Sequence, residues 1–472
     1  MSVPIISVQQ MREWEKATWE TGQTETEVIT RVGKAVADRA LQLTSPGETI
    51  IILAGKGHNG DDARAALPHL QDRRVVAIDV VDPNAALEKF SAGCATQKPQ
   101  LILDGLFGIG LTRPLNDDWQ TLIAKVNETE IPVLAIDVPS GFDGDTGEIR
   151  GGAIRATLTV TVGAPKRGLM IPAAIPFVGR LEVAADVGLA PCPFSGDLQW
   201  TSVEDFENYP PRRTPAAHKG TFGHVAIFAG SLGFHGAAVL AAQGALRAQP
   251  GLVTLFTPES VYVPVAAQLQ EAMVHPWKSA SNVPDSCSAI LFGPGLAAKD
   301  LPDHCKRDLI EIWLKSPLPV VADASALDWL PPGGDFEKAI RVVTPHPGEA
   351  ARMLSVSSEA VQADRVSALR KLSARHGNCF VVLKGHQTLV GQSKGEILVN
   401  SSGNPFLAQG GSGDVLAGYL SGLIAQPALQ REILRTIRYG VWQHGRAADR
   451  LCAEAPNWTV DDLIKTLGLV AR

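Results

Sequence analysis

Short, unbroken apolar runs recur along this chain, separated by stretches long enough for a helix, and that rhythm restricts the fold more than any other feature. The first series covers residues 49–54, 74–80, 101–104, 133–137 and 158–162, and the second covers 225–229, 252–257, 289–292, 319–323, 342–344 and 379–383. A run that is apolar at every position, rather than at alternate ones, buries both faces of its sheet. Runs of that kind alternating with helical segments predict mostly parallel sheets covered by helices. Between the two series, around 188–213, prolines and acids in LAPCPFSGDLQWTSVEDFENYPPRR interrupt any period. A chain of 472 residues also exceeds the roughly 250–300 residues that one core fills. The expected architecture is α/β with two domains, 1–199 and 200–472. Ahead of the first strand, Ser7 with Gln10 reads as a capping box that opens a helix to about residue 20, and a second helical pattern covers 25–43. Glycine-rich turns follow strands in both halves, but no fixed period or low-complexity segment occurs, so two unrelated domains are expected rather than a duplication.

Charge narrows the choice of partner. A formal net charge of -6, a pI near 6.0 and the lack of a long basic run leave no electrostatic footprint for nucleic acid or an anionic membrane. The six cysteines are scattered, without a C-x-x-C pair, so neither a zinc site nor a disulfide framework is expected. No apolar run approaches the roughly 18 residues of a membrane span. Small molecules and a cytoplasmic location are the expectation.

After the first strand comes Gly55-Lys56-Gly57-His58-Asn59-Gly60-Asp61-Asp62. Its glycines let backbone N–H groups approach an anion at a helix start, where a diphosphate fits; a plain tight turn is the alternative. Two more strand ends carry acids: Asp104 precedes GLFGIGLTRP and Asp137 precedes VPSG. Asn59, Asp104 and Ser140 offer hard oxygens suited to an alkali or alkaline-earth cation, and Asp137 has the character of a general base. Aspartates after strands also cap turns and helices, which is the competing reading.

With its glycine loop, DGLFGIGLTRP, DVPSG and DGDTG, the chain over about residues 1–190 resembles the epimerase domain of NAD(P)H-hydrate repair enzymes. The resemblance implies a Rossmann-like three-layer sandwich. It implies that His58, Asn59, Gly60, Asp61 and Asp62, the loop Gly108, Ile109, Gly110, Leu111, Thr112, Arg113 and Pro114, and Asp137 contact the hydrated nucleotide. Asn59, Asp104 and Ser140 would hold K+. Where that family usually has NNGGD, this chain has His58-Asn59-Gly60-Asp61-Asp62. The extra carboxylate of Asp61 either points away from the diphosphate or weakens its binding.

Near the other end stands Gly410-Gly411-Ser412-Gly413-Asp414, directly before a helical pattern. Glycine amides at a helix start stabilise a phosphoryl oxyanion, and an aspartate there can take a proton from an attacking hydroxyl. Alternatively, Asp414 only complements the helix dipole. No G-x-x-x-x-G-K-[ST] loop exists. His346 between two prolines has a restricted, extended backbone that suits a substrate contact, and a generic loop histidine is the alternative.

TPHPGE, VLKGHQT and GGSGDVLAG, in that order, make residues 205–470 similar to the ribokinase-like ADP-dependent NAD(P)H-hydrate dehydratases. The implied fold is a ribokinase-like three-layer sandwich. By resemblance, Ala237, Gly295, His346 and Asp414 contact the hydrate, Lys384, Gly385, His386, Gln387, Thr388 and Gly413 contact the nucleotide, and ADP with Mg2+ is used. Asp414 would be the base, with the amides of residues 411–413 as the oxyanion site. A homo-oligomer is implied as well. Two departures stand out: Ser325 in DASAL, where that family often has aspartate, and Gln409 in FLAQ in place of GMAT, large enough to crowd a nucleotide. A small-molecule kinase of the same superfamily, with an accessory nucleotide-binding or scaffold domain, would also need Asp414 and the glycines.

Overall fold

The structure, a computed structural model, describes residues 3–278, 283–299, 301–334, 336, 339–455 and 457–469. The chain divides into two compact units that meet between Gly196 and Asp197. In the first, β1 (Thr49–Ala54), β2 (Arg74–Asp79), β3 (Leu101–Gly105), β4 (Val133–Ile136), β5 (Leu158–Val162) and β6 (Arg180–Ala184) form a parallel sheet in the order β2-β1-β3-β4-β5-β6.

Alternate residues of one strand serve opposite faces of that sheet. Ile50 and Ile52 pack with Val32 and Val36 of α2 (Glu25–Leu43) and Ala63 of α3 (His58–Ala66). Ile51 and Leu53 pack with Phe90 of α4 (Pro83–Gln97) and Leu122 of α5 (Asp117–Glu128). That double burial is why the runs are continuously apolar. The strand order turns back between β1 and β3, the switch point outside which open α/β sheets bind ligands. Preceding the sheet, α1 (Val8–Glu20) starts at the expected capping box: Gln10 N donates to Ser7 Oγ at 3.1 Å and Ser7 N donates to Gln10 Oε1 at 2.9 Å.

Sequence reasoning misses β6. Arg180 and Glu182 leave it half-buried at the sheet edge, where continuous apolarity is not required. The run at 133–137 also ends one residue early, because Asp137 leaves the strand in a left-handed backbone (φ 64°).

The second unit carries β7 (Leu198–Trp200), β8 (His224–Phe228), β9 (Leu252–Thr257), β10 (Met273–Pro276), β11 (Ala289–Phe292), β12 (Val320–Ala322), β13 (Arg341–Val343), β14 (Phe380–Leu383), β15 (Leu389–Gly391) and β16 (Ile397–Val399). Their order is β7-β16-β15-β14-β13-β12-β11-β8-β9-β10. Pairing is parallel except that β15 runs antiparallel to both β14 and β16. Strands β7, β10, β15 and β16 escape sequence reasoning, since Gln199 and His275 interrupt the first two and the last two follow β14 without helix-length spacing.

On one face of this sheet, Val225, Ile227, Leu255 and Leu291 pack with Ala238, Ala241 and Ala242 of α6 (His235–Arg247). Across the sheet, α7 (Asp303–Lys315) buries Leu309 and Trp313. Further along, α8 (Pro347–Leu354) begins at His346 and α9 (Ser412–Ile424) begins at the glycine-rich turn. Helices α6 and α9 cross backbone to backbone. A Cβ built at Gly418 would lie 1.9 Å from the Ala241 carbonyl oxygen, and one at Gly244 would lie 2.3 Å from that of Val415. This glycine-mediated contact fixes where the start of α9 sits. Among the described residues no helix is long and apolar enough to cross a membrane.

Candidate active sites

In the first unit a cavity of about 570 Å³ opens at the switch point. His58, Asn59, Asp62, Gly108, Ile109, Gly110, Leu111, Thr112, Arg113 and Asp137 are on its wall. Gly60, Asp61 and Pro114 are not. Gly60 is a packing glycine, since a Cβ there would stand 2.0 Å from the Gly55 carbonyl oxygen. It lets the first turn of α3 press against the end of β1. Asp61 is paired with Arg64 at 2.9 Å, and Arg64 also binds Asp79 and the Gly55 carbonyl. Of the two outcomes open for Asp61, the structure has the side chain turned away.

Asp104 is fully buried at the end of β3. Ser140 donates to it from both its hydroxyl (2.6 Å) and its backbone N–H (2.8 Å), and Leu106 N–H adds a third bond at 3.2 Å. Burial pushes its carboxyl up to about 6 despite these three bonds. Asn59 lies within reach of Gly108 and is buried with an unpartnered amide nitrogen. The DGDTG segment braces its own loop, since Asp143 accepts from Asp145 N, Thr146 N and Arg150. Those donors outweigh burial and hold Asp143 down at about 2.

Asp137 reaches the cavity with one carboxylate oxygen engaged behind it. Oδ1 accepts from Lys166 Nζ (2.5 Å), Val162 N (3.1 Å) and Thr161 Oγ1 (3.3 Å). Lys166 is fully buried and also donates to Thr161 and the Val162 carbonyl. Sequence reasoning misses Lys166, which reaches Asp137 across 29 positions. A lone lysine after a strand carries no local signal of that.

In the second unit, Gly411 caps α9 with φ 99° and places Asp414 in the first helical turn. Burial, then the negative charge of Asp323, raise the Asp414 carboxyl to about 7, with Lys384 opposing and Glu349 adding to the rise. Lys384, at the end of β14, is turned inward: it binds Asp323 at 2.9 Å and approaches Glu349 at 3.8 Å. Burial works against its ammonium, but these carboxylates and Asp414 outweigh it and hold its pKa above the ordinary lysine value. Asp323 also accepts from Thr344 Oγ1 at 2.6 Å.

His346 caps α8, its Nδ1 accepting from Gly348 N at 3.0 Å, and its ring stands 3.6 Å from Glu349. Hence His346, Glu349, Lys384, Asp323 and Asp414 form one cluster. Ala237 and Gly295 form a neighbouring corner, where a Cβ on Gly295 would stand 2.9 Å from that of Ala237. Gly413 sits beside Lys384, with 3.4 Å between a built Cβ and the ammonium. Gly385, His386, Gln387 and Thr388 make the turn after β14, whose carbonyls are clamped by Arg365.

Arg365 and His444 are further residues that sequence reasoning misses. His444 is buried and lies 3.0 Å from the Ser412 carbonyl; burial lowers it to about 4, so it is neutral at physiological pH. Gln409 is tied by its amide to the Phe406 and Trp458 carbonyls.

Residues 225–468 match a family model described as NAD(P)H-hydrate dehydratase. Residues 79–168 match the YjeF-related protein N-terminus. The bifunctional NAD(P)H-hydrate repair enzyme Nnr of Coxiella burnetii is 34% identical over 473 residues, covering 94% of both chains. Its counterpart in Escherichia coli K12 is 31% identical over 471 residues, covering 94% of this chain and 89% of that one. A ribokinase-like superfamily protein of Enterococcus faecalis aligns with a TM-score of 0.51 at 24% identity, over 58% of this chain and 96% of its own, and shares the fold.

Proposed function

The chain belongs to the bifunctional NAD(P)H-hydrate repair enzymes, and from that membership we propose how its residues divide the repair. The first unit interconverts the R and S forms of hydrated NADH and NADPH. The second dehydrates the S form to NAD(P)H as ADP becomes AMP and phosphate. The observation that carries this division is that each unit holds one aspartate set for proton transfer: Asp137 on a ligand-sized cavity and Asp414 at a glycine-rich helix start.

In the first unit, the nucleotide's diphosphate lies over the start of α3, against the loop 108–113, with Asp137 facing the ring. Asn59, Asp104 and Ser140 would hold K+. The fully buried Asp104 carboxyl supports an ion there, and the side-chain oxygens of all three residues are hard donors. When bound, K+ supplies positive charge next to an anionic ligand.

In the second unit, Asp414 takes the proton of the ring hydroxyl as that oxygen attacks the terminal phosphoryl group of ADP, and the amides of 411–413 receive the phosphoryl oxygens. Loss of phosphate from C6, pushed by the N1 lone pair, and of a proton from the neighbouring ring carbon to solvent then restores the ring double bond. Lys384, bound to Asp323 and close to Glu349, has its ammonium beside Gly413, where with residues 385–388 it would meet the nucleotide. Among the described residues no set of three or more His, Cys, Asp or Glu side chains suits a metal, so Mg2+ would be carried mainly by the nucleotide's phosphates. A cytoplasmic homo-oligomer completes the proposal, the location supported by six free cysteines.

The test is to mix purified protein with both hydrate epimers, Mg2+, K+ and either ADP or ATP, and to follow reduced nicotinamide by absorbance. Wild type converts everything with ADP. In short assays, Asp137→Ala stops near half of an equal mixture and Asp414→Ala forms none. No reduced nicotinamide with either nucleotide would sink the reading. A kinase of the same superfamily is not favoured, because the similarity to repair enzymes spans both units.

A further inference from the structure

Four carboxyl groups line the cavity of the first unit, those of Glu15, Glu25, Asp62 and Asp137; Glu25 is paired with His58, and one buried ammonium, Lys166, is bound to Asp137. All the bonds Lys166 makes go to Asp137, Thr161 and the Val162 carbonyl. Asp62 is only 8% exposed, and its side chain has no hydrogen bond or ion pair among the described residues. A buried carboxyl that is neither paired nor bonded keeps its proton.

Strand order puts Asp62 and Asp137 on chain segments that leave the sheet two strands apart. Helix α3 follows β1, Asp137 follows β4, and β3 lies between them. With strands about 4.8 Å apart, the two chain segments enter about 10 Å apart, which leaves room for a six-membered ring between their carboxyls. The hydrated ring has its hydroxyl on C6, which is bonded to N1. That carbon resembles an anomeric centre, whose neighbouring lone pair expels a protonated oxygen while a base on the opposite face activates water.

We propose that Asp62 is a second catalytic residue of the epimerase, donating the proton that Asp137 recovers on the other face of the ring. This rests on the epimerase reading of the unit. From one epimer, Asp62 protonates the C6 hydroxyl, the C6–O bond breaks, water leaves, and the N1 lone pair forms an N1=C6 double bond. Water then adds to C6 from the opposite face, Asp137 takes its proton, and the electron pair returns to N1. No electrons are gained or lost, and one water leaves for each that adds. The carboxyl pair ends with its single proton on Asp137, ready for the reverse inversion or for exchange with solvent.

The electrostatics agree with this assignment. Burial first, then Asp137, Asp61 and Glu15, push Asp62 well above the usual carboxylate range, with Lys166 opposing. Glu15 is raised by burial and Asp137 as well. The remaining charged groups on the wall are Arg12, Lys56 and Arg113, together with His58 paired to Glu25.

The experiment follows R-to-S interconversion by chromatography in 18O-labelled water, with full-length protein, K+ and no adenine nucleotide. Wild type takes up one 18O at C6 per inversion, and its kcat declines on the alkaline side as Asp62 loses its proton. Asp62→Asn lowers kcat about 100-fold or more, leaves KM within about 3-fold and abolishes the alkaline decline. Inversion without 18O uptake overturns the proposal, as does an Asp62→Asn loss confined to KM. Should Asp62→Asn not fold, the wild-type profile decides, and a flat alkaline limb overturns it. If wild type does not invert at all above the uncatalysed rate, the epimerase reading has failed instead.

Discussion

Asp137 follows a strand and Asp414 follows a glycine turn, yet the two units surround these aspartates in opposite ways. Lys166 binds Asp137 directly, and the contact is buried on both sides. In the second unit the corresponding lysine, Lys384, is taken by Asp323, and Asp414 is left to burial and like charge, which lift it to about 7. A carboxyl poised near neutrality is a stronger base than an ordinary aspartate but is partly protonated at pH 7. What distinguishes the sites is which carboxylate Lys166 and Lys384 each pair with.

The comparison breaks most sharply at Asp414. Asp414→Asn is expected to lower dehydration by about 10³–10⁴-fold while leaving epimer exchange intact; measuring both rates on one preparation checks it, and loss of both would mean the units are not independent. Next, Lys166→Met leaves Asp137 buried and unpaired, which costs the first unit about 3–5 kcal/mol, read from urea unfolding. A loss below about 1 kcal/mol would mean that the pair behaves like an exposed one.

The two sites should also differ in pH dependence. Because Asp414 must be ionised to act as base and its folded pKa is raised to about 7, dehydration kcat falls about tenfold per pH unit below that value. The same shift acts on stability in the other direction. The contribution of Asp414 to folding is fully present below the ordinary aspartate value of 3.8 and is lost as pH rises through about 7. A pH profile of dehydration that is flat from 5 to 8 would remove Asp414 from the role.

Smaller effects test the two departures from the family pattern. Asp61→Gly removes a half-exposed ion pair and is expected to change the epimerase KM by no more than about 5-fold. A larger gain in affinity would show that Asp61 does oppose the diphosphate. Gln409→Thr gives up bonds to the Phe406 and Trp458 carbonyls, worth about 1 kcal/mol of stability, with the KM for ADP unchanged. If that KM drops, Gln409 does crowd the nucleotide.

Much of this was legible from local pattern. The continuous apolar runs mark β1, β3, β4 and β8, because strands buried on both faces have no polar positions. The capping box at Ser7 and Gln10 is local chemistry within one turn, and it forms as expected. Asn59, Asp104, Ser140 and Asp137 were recognisable because each stands at a strand end, where parallel sheets meet ligands. Asp62 was marked by the same loop, but its isolation from any partner was not. Lys166, Arg365 and His444 lacked a signal altogether, since each acts on a residue 18 to 32 positions away.

By itself, then, the sequence determined the two parallel-sheet units, the glycine turns and the acids that follow them, all of which are set within a few residues by periodicity, sterics and capping. The tertiary structure alone decided which carboxylates are paired with a lysine and which are buried without one, and that Gly60 and Asp61 are off the cavity wall. The physical reason is that desolvation and ion pairing depend on what packs around a group, and those neighbours are brought together by β-crossovers rather than by adjacency in the chain.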